Sequence, residues 1–516
     1  MKRIITMVLL LAGATVLTGQ TNSVKVSTSE FSFDVRAQGG LFLDDNQNGF
    51  VDSLGRSLFF ASNVLYNGLN ANGDIKGLFE SYNTVYNSGT INSNSVLASN
   101  PLVKVTRVEV EAHINNYQNP GYIMPAAIAQ WPGSGNTTIG ELAQMAPYVD
   151  LNQNNTYDPE NGDYPNIIGD MAVYLIRNDK GINPESIGLE MHHVLYIFEG
   201  EDEVLNHSVI HEVKMYNRGQ EDLSNFRLGF FVDYDLGGVD DDYFASDSAA
   251  NAIIGYNGDD YDFQFKETIP GVVFGSLFCD VQGLNNVSSR NMGENLENQH
   301  KLLNNKWSDG ECWMKSNGGV ATNGSPTRFI LHGDIEDESQ WNESRTNNSP
   351  GDRRALLIQA PREFKKGDSF SVLNAYTYRL NPDTLNHLFI AKQAVNQLGD
   401  IRTYLSNNYS THPSILSAQN CGEIQEPDCQ ATSIDELNAE DFVLYPNPSE
   451  GKIWVESQIA LDAYVVYDVS GLTLKQGSFS GGEKQEIDLS GLAKGMYYIK
   501  LVDGTGGNLV KSLVIK

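Results

Sequence analysis

Several familiar signatures are missing from this chain. It has no HExxH, no Gly-x-Ser-x-Gly elbow, no GxxxxGK loop and no dinucleotide fingerprint. The local anchors of zinc peptidases, serine esterases, phosphate-loop enzymes and dinucleotide enzymes are therefore absent. Cysteine is scarce: Cys279, Cys312, Cys421 and Cys429, with no CxxC spacing. A zinc or redox site is not expected from that pattern. Positive charge is scarce as well, with 35 Lys and Arg against 65 Asp and Glu, a net charge of −30. Such a surface repels phosphate backbones, so nucleic acid is not expected as a partner. Anionic membranes are disfavoured for the same reason. No run after the first residues reaches the roughly 20 apolar residues of a membrane-spanning helix.

What is present supports a folded, exported protein. A 516-residue chain with 40% hydrophobic residues can build true cores, so global disorder is excluded. The acidic surplus suits solubility and divalent cations. The first 20 residues, MKRIITMVLLLAGATVLTGQ, read as a signal peptide. Lys2 and Arg3 supply the positive start, Met7 to Leu17 the apolar run, and Thr18 to Gln20 the cleavable end. No cysteine follows, so a lipid anchor is not expected. In an exported chain the four cysteines allow two disulfides by three pairings. Local closure favours Cys421 with Cys429, leaving Cys279 with Cys312.

The pattern of apolar residues is mainly β. From Met171 onward, segments such as MAVYLIRND, HHVLYIFEG, HSVIHEVKMYNRG and FRLGFFVDYDLG read as strands punctuated by Gly, Asn and Asp. Two sheets packed face to face would bury this alternation. Helices are few. PLVKVTRVEVEAHINNY reads as a helix or as a strand through Val110. TIGELAQMAPYV predicts a short helix capped by Thr138 with Glu141 three residues on. LNHLFIAKQAVNQLGDIRTYLSN has helical spacing. The expected order is a signal peptide at 1–20, a β-rich region at 21–405 of one domain or two split near 165, a linker at 406–440, and a C-terminal domain at 441–516. The fold class is mainly β and multidomain, with a central β-sandwich-like region, minor helices and a C-terminal Ig-like β-sandwich.

Three acidic segments are candidate metal sites. Asp44-x-Asn46-x-Asn48-Gly49-x-x-Asp52 alternates oxygen side chains around a tight turn, with Phe50 offering its carbonyl. Gly55 stands where an EF-hand has its bidentate Glu, so a full EF-hand is not expected. The same spacing recurs at Asp150-x-Asn152-x-Asn154-Asn155-x-x-Asp158, with Asp163 near enough to join. The run DYDLGGVDDD supplies Asp233, Asp235, Asp241 and Asp242. All three point to structural calcium, set against plain Asn/Asp turns that bond to their own backbone. Among the histidines, His192 and His193 must point to opposite faces of a strand, and Glu190 shares the face of His192.

The last 76 residues carry a specific resemblance. Tyr445-Pro446-Asn447-Pro448, the following Gly451, VYDVSG at 466–471, LAKGMYYIKL at 492–501 and the terminal KSLVIK stand in order. Together they resemble the type A C-terminal sorting domain of the Bacteroidota type IX secretion system. That resemblance implies export to the periplasm and then passage through the outer membrane, with the secretion machinery as partner. It implies removal of the domain, and release of the cargo or its attachment to the surface. Asn447 and Pro448 would then serve transport. Central segments such as APYVDLNQNNTYDPENGDYPNIIGD, FFVDYDLGGVDDDYFASD and SPGDRRALL resemble a group of large exported Bacteroidota cargo proteins without an assigned activity. This implies a shared scaffold in which Asp150, Asp158, Asp163, Asp233, Asp235, Asp241 and Asp242 matter. The leading expectation is a secreted or surface β-rich protein, structural, adhesive or glycan-contacting, with structural calcium. The alternative is a secreted hydrolase using central carboxylates, glycosidase-like if Glu190, Asp233 and Asp235 converge.

Overall fold

The computed structural model describes residues 23–43, 49–79, 86–92, 102–200, 202–286, 295–315, 325–337, 339–343, 346, 348–380, 386–427, 442–457, 461–468, 472–479, 484–503 and 508–516. The expected signal peptide, Asp44, Asn46, Asn48 and Cys429 lie outside them. The chain divides into two compact units, Met1–Pro427 and Asp428–Lys516.

Two sheets make the body of the first unit. A nine-stranded sheet runs in the order Asp242–Asp247, Ala252–Asn257, Pro270–Ser276, Ser369–Leu380, Ser208–Asn217, Leu189–Ile197, Met171–Asn178, Asn87–Ser88, with Leu102–Thr106 also paired to Met171–Asn178. A six-stranded sheet runs Val281–Asn286, Arg353–Gln359, Leu223–Tyr234, Ala61–Leu69, Ile75–Leu78, with Arg362–Phe364 also on Leu223–Tyr234. Their facing sides share one core, in which Leu195, Val213 and Phe274 of the larger sheet join Phe230, Val232 and Leu356 of the smaller. Phe230 meets His211 and Phe274 edge-on or tilted across that interface. The expected face-to-face packing is thus present. A four-stranded sheet of Ser23–Ser27, Phe31–Arg36, Phe50–Asp52 and Ser57–Phe59 adds a cluster of phenylalanines to the same core.

The larger sheet is covered on its other side too, so its strands are buried on both faces. The outer cover comes from residues 107–168 and the helix His387–Asn408. This helix forms where the apolar spacing predicts it. Asn386 caps it by accepting from Phe389 N at 2.8 Å, and Ile390, Ala391, Ala394, Leu398, Ile401 and Leu405 make its buried stripe.

Three local expectations resolve differently. PLVKVTRVEVEAHINNY is both a strand, Leu102–Thr106, and a helix, Arg107–Asn116. Thr106 divides them through a capping box with Glu109, whose carboxylate accepts from Thr106 N at 2.9 Å. TIGELAQMAPYV gives only the single 3₁₀ turn Thr137–Ile139. The cap is Asn136 rather than Thr138, and Gly140 turns left-handed at φ 85°, which ends the helix at once. Glu141 folds back instead, accepting from Asn136 N at 2.6 Å.

The expected cysteine pairing is corrected: Cys279 is bonded to Cys421, 142 residues away. Cys312 is also disulfide-bonded. The long helix carries the chain back over the sheet, where Arg402 donates to Leu277 O at 2.9 Å and Ser276 O at 2.8 Å. Cys421 therefore arrives beside Cys279. The cost of closing a loop grows only with the logarithm of its length, so local closure was a weak guide. Residues beyond the bridge stay on the body, with Gln425 N donating to Gln282 Oε1 at 2.9 Å.

The second unit holds a three-stranded sheet (Phe442–Tyr445, Lys452–Ser457, Lys484–Asp488) and a four-stranded one (Thr473–Ser478, Leu461–Tyr467, Gly495–Asp503, Asn508–Ile515). Ile453, Val455, Val466, Ile487, Ile499 and Leu513 form its core. Asn447 clips the last strand as a strand residue would. Its side chain donates to Ser512 O at 2.8 Å and accepts from Val514 N at 2.9 Å.

Candidate functional site

Among the described residues, a gathering of three carboxylates forms where two strands of the smaller sheet end together. Leu223–Tyr234 pairs antiparallel with Arg353–Gln359, setting Asp233 opposite Arg354. Asp235 and Asp352 flank these ends. Oxygens of Asp233, Asp235 and Asp352 all lie within 4.8 Å of one another. Arg354 reaches Asp352 at 2.6 Å and Asp233 at 3.5 Å. Burial, then the charges of Asp233 and Asp352, push the Asp235 carboxyl up to about 7, with Arg354 pulling the other way. The group takes two residues of the acidic run and adds Asp352, which the sequence reading passed over. Its only sequence signal is an Asp beside two arginines at the start of a strand.

Asp241 precedes and Asp242 begins the strand Asp242–Asp247, outside that trio. Asp242 is fully buried and accepts from Leu236 N at 3.1 Å through Oδ2. Its Oδ1, like that of Asp241, has no hydrogen-bond partner among the described residues. Burial pushes both carboxyls up.

The Asp150–Asp163 loop gathers its predicted residues. Asp150 accepts from Asn154 N at 3.2 Å and Asn155 N at 2.7 Å. Asp158 takes the side-chain amides of Asn152 at 3.1 Å, Asn154 at 2.8 Å and Asn161 at 2.8 Å. These amides, that of Asn161 foremost, hold its carboxyl below the usual range. Asp163 is buried and accepts from Leu151 N at 2.8 Å and Asp158 N at 3.0 Å. Gln153 and Asn155 take positive φ, 60° each. The loop closes on itself through the same oxygens that would hold a cation.

In the first loop, Phe50 and Asp52 are the described candidates. Phe50 is a buried ring packed at a tilt against Phe31, Phe33, Phe42 and Phe59. Asp52 closes its own hairpin, accepting from Leu54 N at 3.0 Å and Arg56 N at 2.8 Å and pairing with the Arg56 guanidinium at 2.6 Å.

Glu190 does not join Asp233 and Asp235, which sit on the other sheet. On the outer face of the larger sheet it accepts from His192 Nε2 at 2.9 Å, Ile91 N at 2.7 Å and Arg218 at 3.4 Å. Burial pushes its carboxyl up, but His192, Ile91 and Arg218 outweigh that and hold it below the usual range. With Nε2 donating to Glu190, His192 turns Nδ1 to the Tyr174 hydroxyl at 2.7 Å. His193 lies on the opposite face from His192, as expected, 3.1 Å from His211, and burial drives His211 down to about 3.

On the next strand, Lys214 lies opposite His192 and Glu212 opposite Val194. Glu212 is buried, accepts the Ser414 hydroxyl, and has its carboxyl pushed up by burial. A cavity of about 290 Å³ opens over these side chains. Tyr174, His192, Glu212 and Lys214 of the sheet form its floor, and Tyr148 with Asp150 and Asn155 of the acidic loop also line it. The sequence singled out neither Tyr174 nor Glu212. A glutamate in the apolar register of HSVIHEVKMYN is the trace it left.

Among solved structures, a polysaccharide lyase is 8% identical with a TM-score of 0.18, covering 65% of this chain and 36% of that one. The BSP domain of a biofilm-associated protein is 10% identical with a TM-score of 0.13, covering 61% of each chain. Dimeric latent PorU from Porphyromonas gingivalis is 10% identical with a TM-score of 0.12, covering 67% of this chain and 31% of that one. The chain thus spans from about a third to three fifths of their lengths, and likeness at this level carries no argument. No curated protein matches the chain. No helix among the described residues is long and apolar enough to cross a membrane. Residues 443–516 match the secretion system C-terminal sorting domain. The chain therefore carries the sorting domain of the Bacteroidota type IX system, and its place is the cell surface or the exterior.

Proposed function

We propose that this protein is an exported, β-rich contact protein, adhesive or glycan-contacting, braced by calcium. The observation that carries the reading is the convergence of Asp233, Asp235 and Asp352, with oxygens within 4.8 Å of one another. Three carboxylates so close repel one another, and one arginine offsets only part of that charge. A hard divalent cation with oxygen ligands is the natural complement. The Asp150, Asn152, Asn154, Asp158 and Asp163 loop is the second proposed calcium position, and Asp44, Asn46, Asn48, Phe50 and Asp52 the third. A sorting domain and the absence of the commonest hydrolase motifs support a role in contact. A hydrolase using Glu190 with Asp233 and Asp235 has less support, because Glu190 is spent on His192, Ile91 and Arg218.

The test is elemental analysis of the secreted protein, with thermal melts in calcium and in chelator. Bound calcium at one or more equivalents and a melt lowered by several degrees in chelator are expected. No bound metal with identical melts would sink the calcium reading.

A further inference from the structure

The outer face of the larger sheet holds titratable groups that the cation reading does not use. Glu190, His192 and Tyr174 form a chain of two hydrogen bonds, 2.9 Å and 2.7 Å long, running from beneath Arg218 to the cavity floor. Glu212 stands on the neighbouring strand with Ser414 and Tyr196 at its Oε2. Buried polar groups are costly, and a purely structural cover would be expected to be apolar, as Ile210 and Leu373 are elsewhere on this side. Here the chain leaves a hollow over them instead.

We propose that this hollow binds one uncharged sugar unit. Its volume, about 290 Å³, stands at the lower end of small-molecule pockets, roughly 300–1,000 Å³. That space suits a single ring rather than an extended chain. A sugar ring needs donors and acceptors around its edge and apolar contact on its faces. The carboxyl of Glu212, the ammonium of Lys214 and the phenol of Tyr174 supply the first. Met145, Pro147 and Val194 supply the second. The Tyr148 hydroxyl, on a residue that lines the cavity, is buried with no hydrogen-bond partner among the described residues. Burial favours the neutral form of Glu212, while Lys214 and Asp150, of opposite charge, both line the cavity. A charge-balanced wall fits a neutral polyol better than a phosphate or a uronate. A free amino acid is the competing ligand, with its ammonium at Glu212 and its carboxylate at Lys214.

The experiment is ligand-observed NMR on the full chain, with neutral hexoses, their methyl glycosides and small amino acids as probes. Two variants accompany it. Glu212→Gln removes the acid at nearly constant shape. Ser417→Trp, at a partly exposed residue of the cavity lining, fills the space, giving up the Ser417 hydroxyl bond to Ser414 O at 3.3 Å but no side chain of the buried network. The expected result is binding of at least one neutral sugar, weakened at least about tenfold by each variant, or about 1.4 kcal/mol. The melt of Ser417→Trp should match the parent. Absence of any sugar binding, unchanged binding in Ser417→Trp, or displacement of the sugar by an amino acid would each overturn the proposal. If Glu212→Gln does not fold, Ser417→Trp decides alone. None of these outcomes depends on whether a cation is bound at Asp235.

Discussion

Gly271 lies so close beneath Ala391 that a Cβ on the glycine would sit 2.5 Å from the Cα of Ala391 and 2.8 Å from its nitrogen. The strand Pro270–Ser276 and the helix His387–Asn408 touch backbone to backbone at that point. Both partners are rigid elements, so neither can yield as a side-chain tip would.

Gly271→Ala is therefore expected to lift the helix from the sheet and cost about 1–3 kcal/mol. Gly399→Ala, in the same helix with nothing within 4 Å of the added Cβ, should instead stabilise by about 0.5–1 kcal/mol. Urea unfolding of the two variants checks both signs. Equal effects would mean that the contact is not tight.

Asp235 gives a pH dependence. Its folded carboxyl titrates at about 7 against an ordinary 3.8, so between those values the folded state holds a proton that the unfolded state has lost. Stability then falls as pH rises from about 4 to 7. Melts in chelator should drop by a few degrees across that window, and calcium should remove the drop by taking the proton's place. Asp235→Asn should flatten the chelated profile and abolish the calcium response. A profile unchanged by the substitution would assign the dependence to another group.

The long disulfide, buried at Cys279 and exposed at Cys421, should matter for stability. Bridging residues 142 apart restrains a large loop of the unfolded chain, worth about 4–5 kcal/mol in the loop-entropy account. The double variant Cys279→Ala/Cys421→Ala should lose stability on that scale in equilibrium unfolding without reductant. A loss below about 1 kcal/mol would show that the unfolded chain is already compact there.

In the acidic loop, Asp163→Ala strips the buried acceptor from the amides of Leu151 and Asp158. The expected cost is about 1–3 kcal/mol, with local hydrogen exchange rising first at residues 150–163. Exchange confined to other regions would count against the loop as a closed unit.

The strands of the larger sheet and the long helix were legible because their apolar spacing is local. Leu189–Ile197 shows its two faces in its own alternation, and His192 and His193 fall on opposite sides as that alternation requires. What was not legible depends on register between distant segments. Asp352 joins Asp233 and Asp235 only because Arg354 is paired opposite Asp233. Glu212 meets Ser414 from 202 residues away. Cys421 meets Cys279 because a helix folds back, while a short-loop rule pointed to its neighbour in sequence. The short helix expected after Thr138 failed for a local reason: Gly140 stops it before Glu141 can extend the turn.

The bridge between Cys279 and Cys421 also sets how the molecule bears tension. A pull on the C-terminal end enters the first unit at Pro427, meets the Gln425 contact to Gln282, and at Cys421 crosses the disulfide to Cys279. Residues 313–420, including the 22-residue helix and Asp352, lie on a slack side branch of that covalent line, beyond the second bridge at Cys312. Traction applied through the sorting domain therefore loads the bridge and the strands before it, and leaves the helix and the cavity roof unstretched.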